Sequence, residues 1–180
     1  MNLELLQLTA KIGAILDMVV CVFGYLLTFF GFYRFFPTSY SDSYRHWENT
    51  PTKKDKKLDA GYMFTGWTAF SDFFILPGLL VLSDKWYQLL LGVGALFYLL
   101  IVGIRPSGIK KQITKIHCIA AKLCAVSAVV WVLTHHLYWL TLGMLAVGYA
   151  FGHFYKKGKY ETLIMEAVAF LLTDIAIIIL

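Results

Sequence analysis

Five ionisable residues lie within or beside long apolar stretches of the chain. They are Asp72, His117, Lys122, His153 and Glu166. Ionisable side chains are costly in lipid, and they usually face the interior of a helix bundle or a water-filled cavity. Carboxylates, a lysine and histidines can bind ions, exchange protons or contact a lipid headgroup. We therefore treat this set as a candidate polar intramembrane site. A purely structural role, as polar contacts between helices, stays open for each member.

Depth along the helices groups four of these residues. At a rise of ~1.5 Å per residue, Lys122 and Glu166 differ in depth by only ~3 Å. His117 and His153 lie near helix ends on the same side. The four are therefore expected to share one layer, and a buried ion pair between Lys122 and Glu166 is predicted because a lone ammonium is expensive there.

The fifth member of the set, Asp72, and two further acids are expected deeper in the membrane or in its other half. Asp72 is expected near the membrane middle, in a helix that Pro77 interrupts by removing one hydrogen-bond donor. Broken helices beside an acid often line a cavity or an ion site, although a simple proline kink is the plainer interpretation. Asp17 and Asp174 are expected in the other half of the membrane.

Sequence motifs for enzymes and cofactors are absent. The chain has no glycine-rich phosphate loop, no GxSxG and no HExxH. Its three cysteines fall in apolar stretches without metal-ligand spacing. His117 and His153 lie at similar depth, so a haem between them stays an alternative. The sequence otherwise predicts no cofactor, no metal and no nucleic-acid partner.

The elements that must position these residues are membrane-length helices. The chain has 180 residues, of which 59% are apolar and 15% charged, and this excludes a soluble globular domain. A spanning helix needs ~20 mostly apolar residues. The fold class predicted is all-α, a polytopic membrane protein with a single six-helix transmembrane domain over residues 1–180. Its helices are expected at about 12–33, 61–82, 86–104, 116–134, 137–155 and 162–180.

The positive charges predict the orientation of this bundle. Of the 16 lysines and arginines, 13 fall in the first, third and fifth loops, and only Lys11 and Lys85 lie on the opposite side. Basic loops stay in the cytoplasm. The pattern therefore predicts a bacterial-type inner membrane protein with basic loops cytoplasmic and both termini outside. Gly148-x-x-x-Gly152 indicates close helix packing, either within the chain or in a homo-oligomer.

One stretch of sequence resembles a known group of proteins. It comprises Gly103-Ile-Arg-Pro106, a basic loop, Ile116-His117-Cys-Ile-Ala120-Ala121, and then Ser127 and Trp131. It resembles small six-helix bacterial membrane proteins of unknown function, and it is distantly similar to the superfamily of the autophagy modulator DRAM. The resemblance implies a six-helix bundle and no defined reaction. Members of that superfamily are usually drawn with both termini inside, whereas the charge count places them outside.

Three functions are compatible with these features. The sequence favours a non-enzymatic membrane protein that binds lipid or a protein partner as an accessory factor. The first alternative is a proton-coupled transporter or channel that uses Asp72, Lys122 and Glu166. The second is a lipid-modifying enzyme, in which the inner-layer residues would meet a headgroup. The partners expected are the lipid bilayer and a protein partner or second copy.

Overall fold

Over the residues that the structure describes, the fold is a bundle of six long helices. The computed structural model describes residues 2–40, 42–43, 60–104 and 111–180, and their side chains except those of 60–63, 104, 111–114 and 156–157. No strand occurs in these ranges, so the all-α prediction is confirmed. The helices are α1 (Leu3–Tyr33), α2 (Ala60–Leu82), α3 (Trp86–Ile104), α4 (Lys111–Thr134), α5 (Tyr138–Phe154) and α6 (Glu161–Ile179).

Two helices begin earlier than hydropathy indicates. α1 begins at Leu3 rather than near residue 12, because the Asn2 side chain caps it by accepting a hydrogen bond from the Glu4 backbone N–H (3.1 Å). α4 begins at Lys111 rather than near residue 116. Hydropathy finds the apolar centre of a helix, while its polar first turns are set by capping and backbone hydrogen bonds.

Five of the six helices are long and apolar enough to cross a membrane. The exception is α5, which has 17 residues and continues only into a 3₁₀ turn at Tyr155–Gly158. At ~1.5 Å per residue α5 reaches about 25 Å, short of the ~30 Å of a bilayer core. Of the six helices that were expected to span a membrane, five have the length and the composition to do so.

The middle of α1 is a π-helical segment, Asp17–Gly24. In this segment the backbone N–H of residue i+5 donates a hydrogen bond to the carbonyl of residue i, as the Tyr25 N–H does to the Val20 carbonyl. The extra residue per turn redirects side chains and loosens the backbone ladder. π segments are rare and frequently occur at functional sites, so the middle of α1 is a candidate functional region.

The core consists of two apolar clusters at opposite ends of the bundle. One surrounds Phe29, Tyr40 and Phe64, and we call this the Tyr40 end. The other surrounds Trp131, Leu140 and Ile177, and we call this the Trp131 end. At the Trp131 end the last turn of α4 is joined to the loop between α2 and α3, since the Trp131 indole N–H donates to the Ser83 hydroxyl (3.0 Å). This agrees with the predicted placement of both loops on one side.

Glycines allow close backbone approach at two helix pairs. In α5, a Cβ at Gly148 would lie 2.7 Å from Val168, and one at Gly152 would lie 3.2 Å from the Glu161 Cα. The Gly148-x-x-x-Gly152 motif therefore packs α5 on α6 within the chain, which confirms the intramolecular interpretation. In α1, a Cβ at Gly13 would lie only 2.3 Å from the Phe74 carbonyl oxygen of α2.

Candidate functional site

The chain folds back into the bundle directly after α1. We call residues 37–43 the Tyr40 segment. The Asp42 carboxylate accepts hydrogen bonds from the Thr38 hydroxyl (2.9 Å) and backbone N–H (3.3 Å), and the Asp42 N–H donates to the Ser39 hydroxyl (3.0 Å). These local bonds close a tight turn. The Asx and ST bonding of short polar side chains explains why this sequence turns here.

The turn inserts Tyr40 into the middle of the Tyr40 end, where it is only 2% exposed. Its ring stacks on Trp67 with centroids 4.7 Å apart and planes within 4°. Its hydroxyl donates to the Val22 carbonyl of the π segment (2.9 Å). Burial raises the pKa of the Tyr40 phenol, and neighbouring Glu166 adds to the effect. The phenol therefore stays protonated and remains a donor at physiological pH.

Two backbone hydrogen bonds fasten the Tyr40 segment to α6. The Tyr40 N–H donates to the Glu166 carboxylate (2.7 Å), and the Thr38 carbonyl accepts from the Leu163 N–H (3.1 Å). The second bond satisfies an N–H in the first turn of α6, which has no partner within that helix. The segment thus caps α6 and holds Glu166 at the centre of the bundle.

A mostly apolar interior cavity of about 100 Å³ lies beside Tyr40. His117 and Glu166 line it beside Tyr40 and Trp67, Thr173 of α6 also lines it, and it extends to Leu79 of α2. A cavity of ~150 Å³ with apolar walls can hold benzene. The interior cavity is therefore suited to an apolar group about the size of a short piece of acyl chain.

A larger surface groove of about 640 Å³ runs along α4, α5 and α6. Such volumes fall within the ~300–1,000 Å³ typical of small-molecule pockets. The helices leave this space because α4 packs extensively on α3 and only slightly on α5. One half carries polar groups, and the other half is apolar. The polar half is lined by His117, Cys118, Lys122, Glu161, Thr162 and Glu166, and the apolar half by Val126, Val129, Val130, Leu145 and Met165.

The groove and the interior cavity adjoin each other. Both are lined by His117 and Glu166, and also by three alanines, Ala121, Ala125 and Ala169. Because the alanine side chains on α4 and α6 are small, little side-chain volume separates the two spaces at this boundary. A lipid whose polar head lies in the groove would therefore place its apolar part beside the cavity.

The structure brings together three of the five predicted site residues. His117, Lys122 and Glu166 all line the groove. Within the part of the chain whose side chains are described, Lys122 and Glu166 form no ion pair within 4.0 Å. Lys122 is exposed at the groove surface, so it needs no buried counter-charge, and Glu166 instead accepts the Tyr40 N–H.

The other two predicted residues lie elsewhere. His153 is exposed and stacks on Tyr149 with ring centroids 5.8 Å apart. It lines neither space. Asp72 also lines neither space, and the charged neighbour acting on it is Asp17 of α1. Over the described ranges no group of three or more His, Cys, Asp or Glu residues is arranged to hold a metal.

Sequence reasoning missed two parts of this arrangement. Serines and tyrosines alternate after Pro37, but this pattern did not predict that Tyr40 enters the core. Sequence reasoning placed Asp17 and Asp174 in the same half of the bundle but did not join them with Asp72 across α1, α2 and α6. Their similar depth was the available signal. Comparisons with protein-family models, with curated proteins and with solved structures found no match to this chain.

Proposed function

We propose that this chain is a multi-pass membrane protein that binds a zwitterionic phospholipid in the groove between α4 and α6, without a catalytic role. The observation that carries the proposal is the boundary that a charged groove shares with an apolar interior cavity. This refines the lipid-binding accessory role favoured by the sequence. The resemblance to six-helix bacterial proteins stays a prediction beside it.

Membrane insertion is supported by the outward faces of the bundle. Large apolar side chains such as Phe73 and Val147 are each 69% exposed, and similar residues project from most of the helices. A contiguous apolar surface on this scale indicates a lipid environment. The basic loops then favour a cytoplasmic Tyr40 end and an inner membrane location. Most residues of those loops lie outside the described ranges, and Lys159 is the exposed lysine of the fifth loop.

The charges of the groove favour a zwitterionic headgroup. Lys122 supplies an ammonium for a phosphate, while Glu161 supplies a carboxylate for a headgroup ammonium. A purely anionic lipid would leave Glu161 and Glu166 facing its phosphate. Apolar residues from Val126 to Val130 continue along α4 and give an acyl chain a surface to follow. Phosphatidylethanolamine has this combination of groups.

Lipid retention tests the proposal. The protein is purified in mild detergent, exchanged into defined lipid mixtures, and analysed by native mass spectrometry. We expect one phosphatidylethanolamine to stay bound in preference to phosphatidylglycerol. Ala125→Phe places a bulky ring at the boundary that groove and cavity share, and it should abolish retention. Gly143→Phe is the matched control, because Gly143 is exposed on α5 and a side chain there meets nothing.

The headgroup is tested separately. Lys122→Met should weaken retention by up to about fivefold, the equivalent of an exposed ion pair worth ~1 kcal/mol. Lys85→Met, an exposed lysine at the other end, should leave it unchanged. Retention unaffected by Ala125→Phe would overturn the site. Equal retention of diacylglycerol, which has no charged headgroup, would overturn the choice of lipid.

The two alternatives stay predictions. The transporter hypothesis draws on Asp72, Lys122 and Glu166, of which only Lys122 and Glu166 share the groove. A lipid-modifying enzyme would use the same polar half of the groove, and turnover of the bound phospholipid in the retention assay would favour it.

A further inference from the structure

Three aspartates meet in the middle of the bundle, away from the groove. Asp17 of α1 and Asp174 of α6 are fully buried, and Asp72 of α2 is 8% exposed. Asp17 is the central member, since it interacts with both Asp72 and Asp174. It is also the first residue of the π segment, whose wider turn sets its direction. The three carboxyls thus join α1, α2 and α6 between the two apolar clusters.

Within the residues that the structure describes, the polar atoms of this cluster have no hydrogen-bond partner. All six carboxyl oxygens of Asp17, Asp72 and Asp174 are buried and unpaired. The hydroxyl of Ser71 faces Asp17, is fully buried, and is likewise unpaired. An unsatisfied buried polar group costs ~1–3 kcal/mol, and an unpaired charge costs more. Seven such atoms in one place indicate a ligand that supplies hydrogen bonds or charge.

No basic group faces the cluster from the described part of the surrounding helices. Apart from the aspartates themselves, the titratable groups near it are Cys21 of α1, Tyr40 of the Tyr40 segment and Cys124 of α4. None of these carries positive charge. Three carboxylates cannot all stay ionised in such surroundings, because a buried anion neutralises by taking up a proton when no cation is present.

We propose that Asp17, Asp72 and Asp174 form a proton-binding site, in which the carboxyls hold protons that pass between them through Asp17. A protonated carboxyl becomes a hydrogen-bond donor. It can then donate to a neighbouring carboxyl or to Ser71, which would satisfy the unpaired oxygens. The metal alternative is disfavoured, since the described residues offer no metal-binding group of three.

Infrared spectroscopy on the reconstituted protein tests this. With aspartate labelled by ¹³C at the side-chain carboxyl, the C=O stretch of a protonated aspartic acid is distinguished from that of glutamic acid and from ionised carboxylates. We expect this band at neutral pH in the wild-type protein, and a shift in D₂O. The band should shrink in Asp17→Asn, Asp72→Asn and Asp174→Asn. Asp84→Asn, at an exposed loop residue, is the matched control.

Two outcomes would overturn the site. One is a wild-type spectrum without a protonated aspartate band at neutral pH, which needs no variant and so does not depend on variant folding. The other is a thermal stability that rises with sodium concentration at constant pH and ionic strength and loses that response in Asp174→Asn, since this would assign the cluster to a monovalent cation. The lipid-retention experiment is independent of both results.

Discussion

Tyr40→Phe removes one hydroxyl from the centre of the Tyr40 end and leaves the ring. The phenol donates to the Val22 carbonyl at 2.9 Å, and Val22 is 1% exposed. The variant loses this buried hydrogen bond between the Tyr40 segment and the π segment. An intramolecular hydrogen bond contributes ~0.5–1.5 kcal/mol to stability. At ~2–4 °C per kcal/mol for a domain of this size, the Tm should fall by about 1–6 °C.

Thermal unfolding in detergent, followed by circular dichroism, measures the loss. Tyr149→Phe is the control, because Tyr149 is 57% exposed on α5 and should tolerate the change within 1 °C or so. Tyr40→Ala should lower the free energy of unfolding further, by ~3–5 kcal/mol, since it also removes the ring that stacks on Trp67. If Tyr40→Phe melts with the wild type, the hydroxyl does not stabilise the π segment and the account of the Tyr40 segment is wrong.

Three further predictions address packing, pH and orientation. Gly13→Ala should lower the free energy of unfolding by ~1–3 kcal/mol or more, because the added methyl group clashes with the α2 backbone. Gly31→Ala is the control and should not lower it, because Gly31 has open space around it. Equal Tm values for the two variants would contradict the close approach of α1 and α2. Burial lowers the pKa of His135 below its ordinary 6.5, so His135 takes up a proton more readily in the unfolded chain than in the folded one. The free energy of unfolding should therefore decline as the pH falls from 7 to 5. This decline should be less steep in His135→Leu. In a cysteine-free background, an impermeant maleimide should label Asp84→Cys in intact cells and spare Lys159→Cys, and the reverse pattern would invert the topology.

The helices were predictable because their signals are local. Apolar blocks of membrane length identified all six, and Gly148-x-x-x-Gly152 identified the packing of α5 on a neighbour. Short connections identified the loops that meet at the Trp131 end. Each of these signals lies within about 20 residues of sequence and needs no knowledge of which helices are neighbours.

The site was only partly predictable because the sequence gives the depth of a residue along its helix but not the direction in which its side chain points around the helix. Lys122 and Glu166 share a depth, yet Lys122 faces an open groove and needs no buried partner. The burial of Tyr40 depends on Glu166, 126 residues later in the chain. The π segment carries no clear signal, and it changes the direction of Asp17 relative to an ordinary helix.

The hydrogen bonds between the Tyr40 segment and α6 constrain the order of biosynthesis. During translation, α1 and the segment that follows it are made long before Leu163 and Glu166 emerge. Until then the Tyr40 N–H has no carboxylate to bind, and Asp17 has no Asp174 beside it. The nascent protein must therefore keep an incomplete polar centre in the membrane until α6 inserts. Insertion of α6 is then the step that closes the bundle, and a chain truncated before it should be a substrate for membrane quality control.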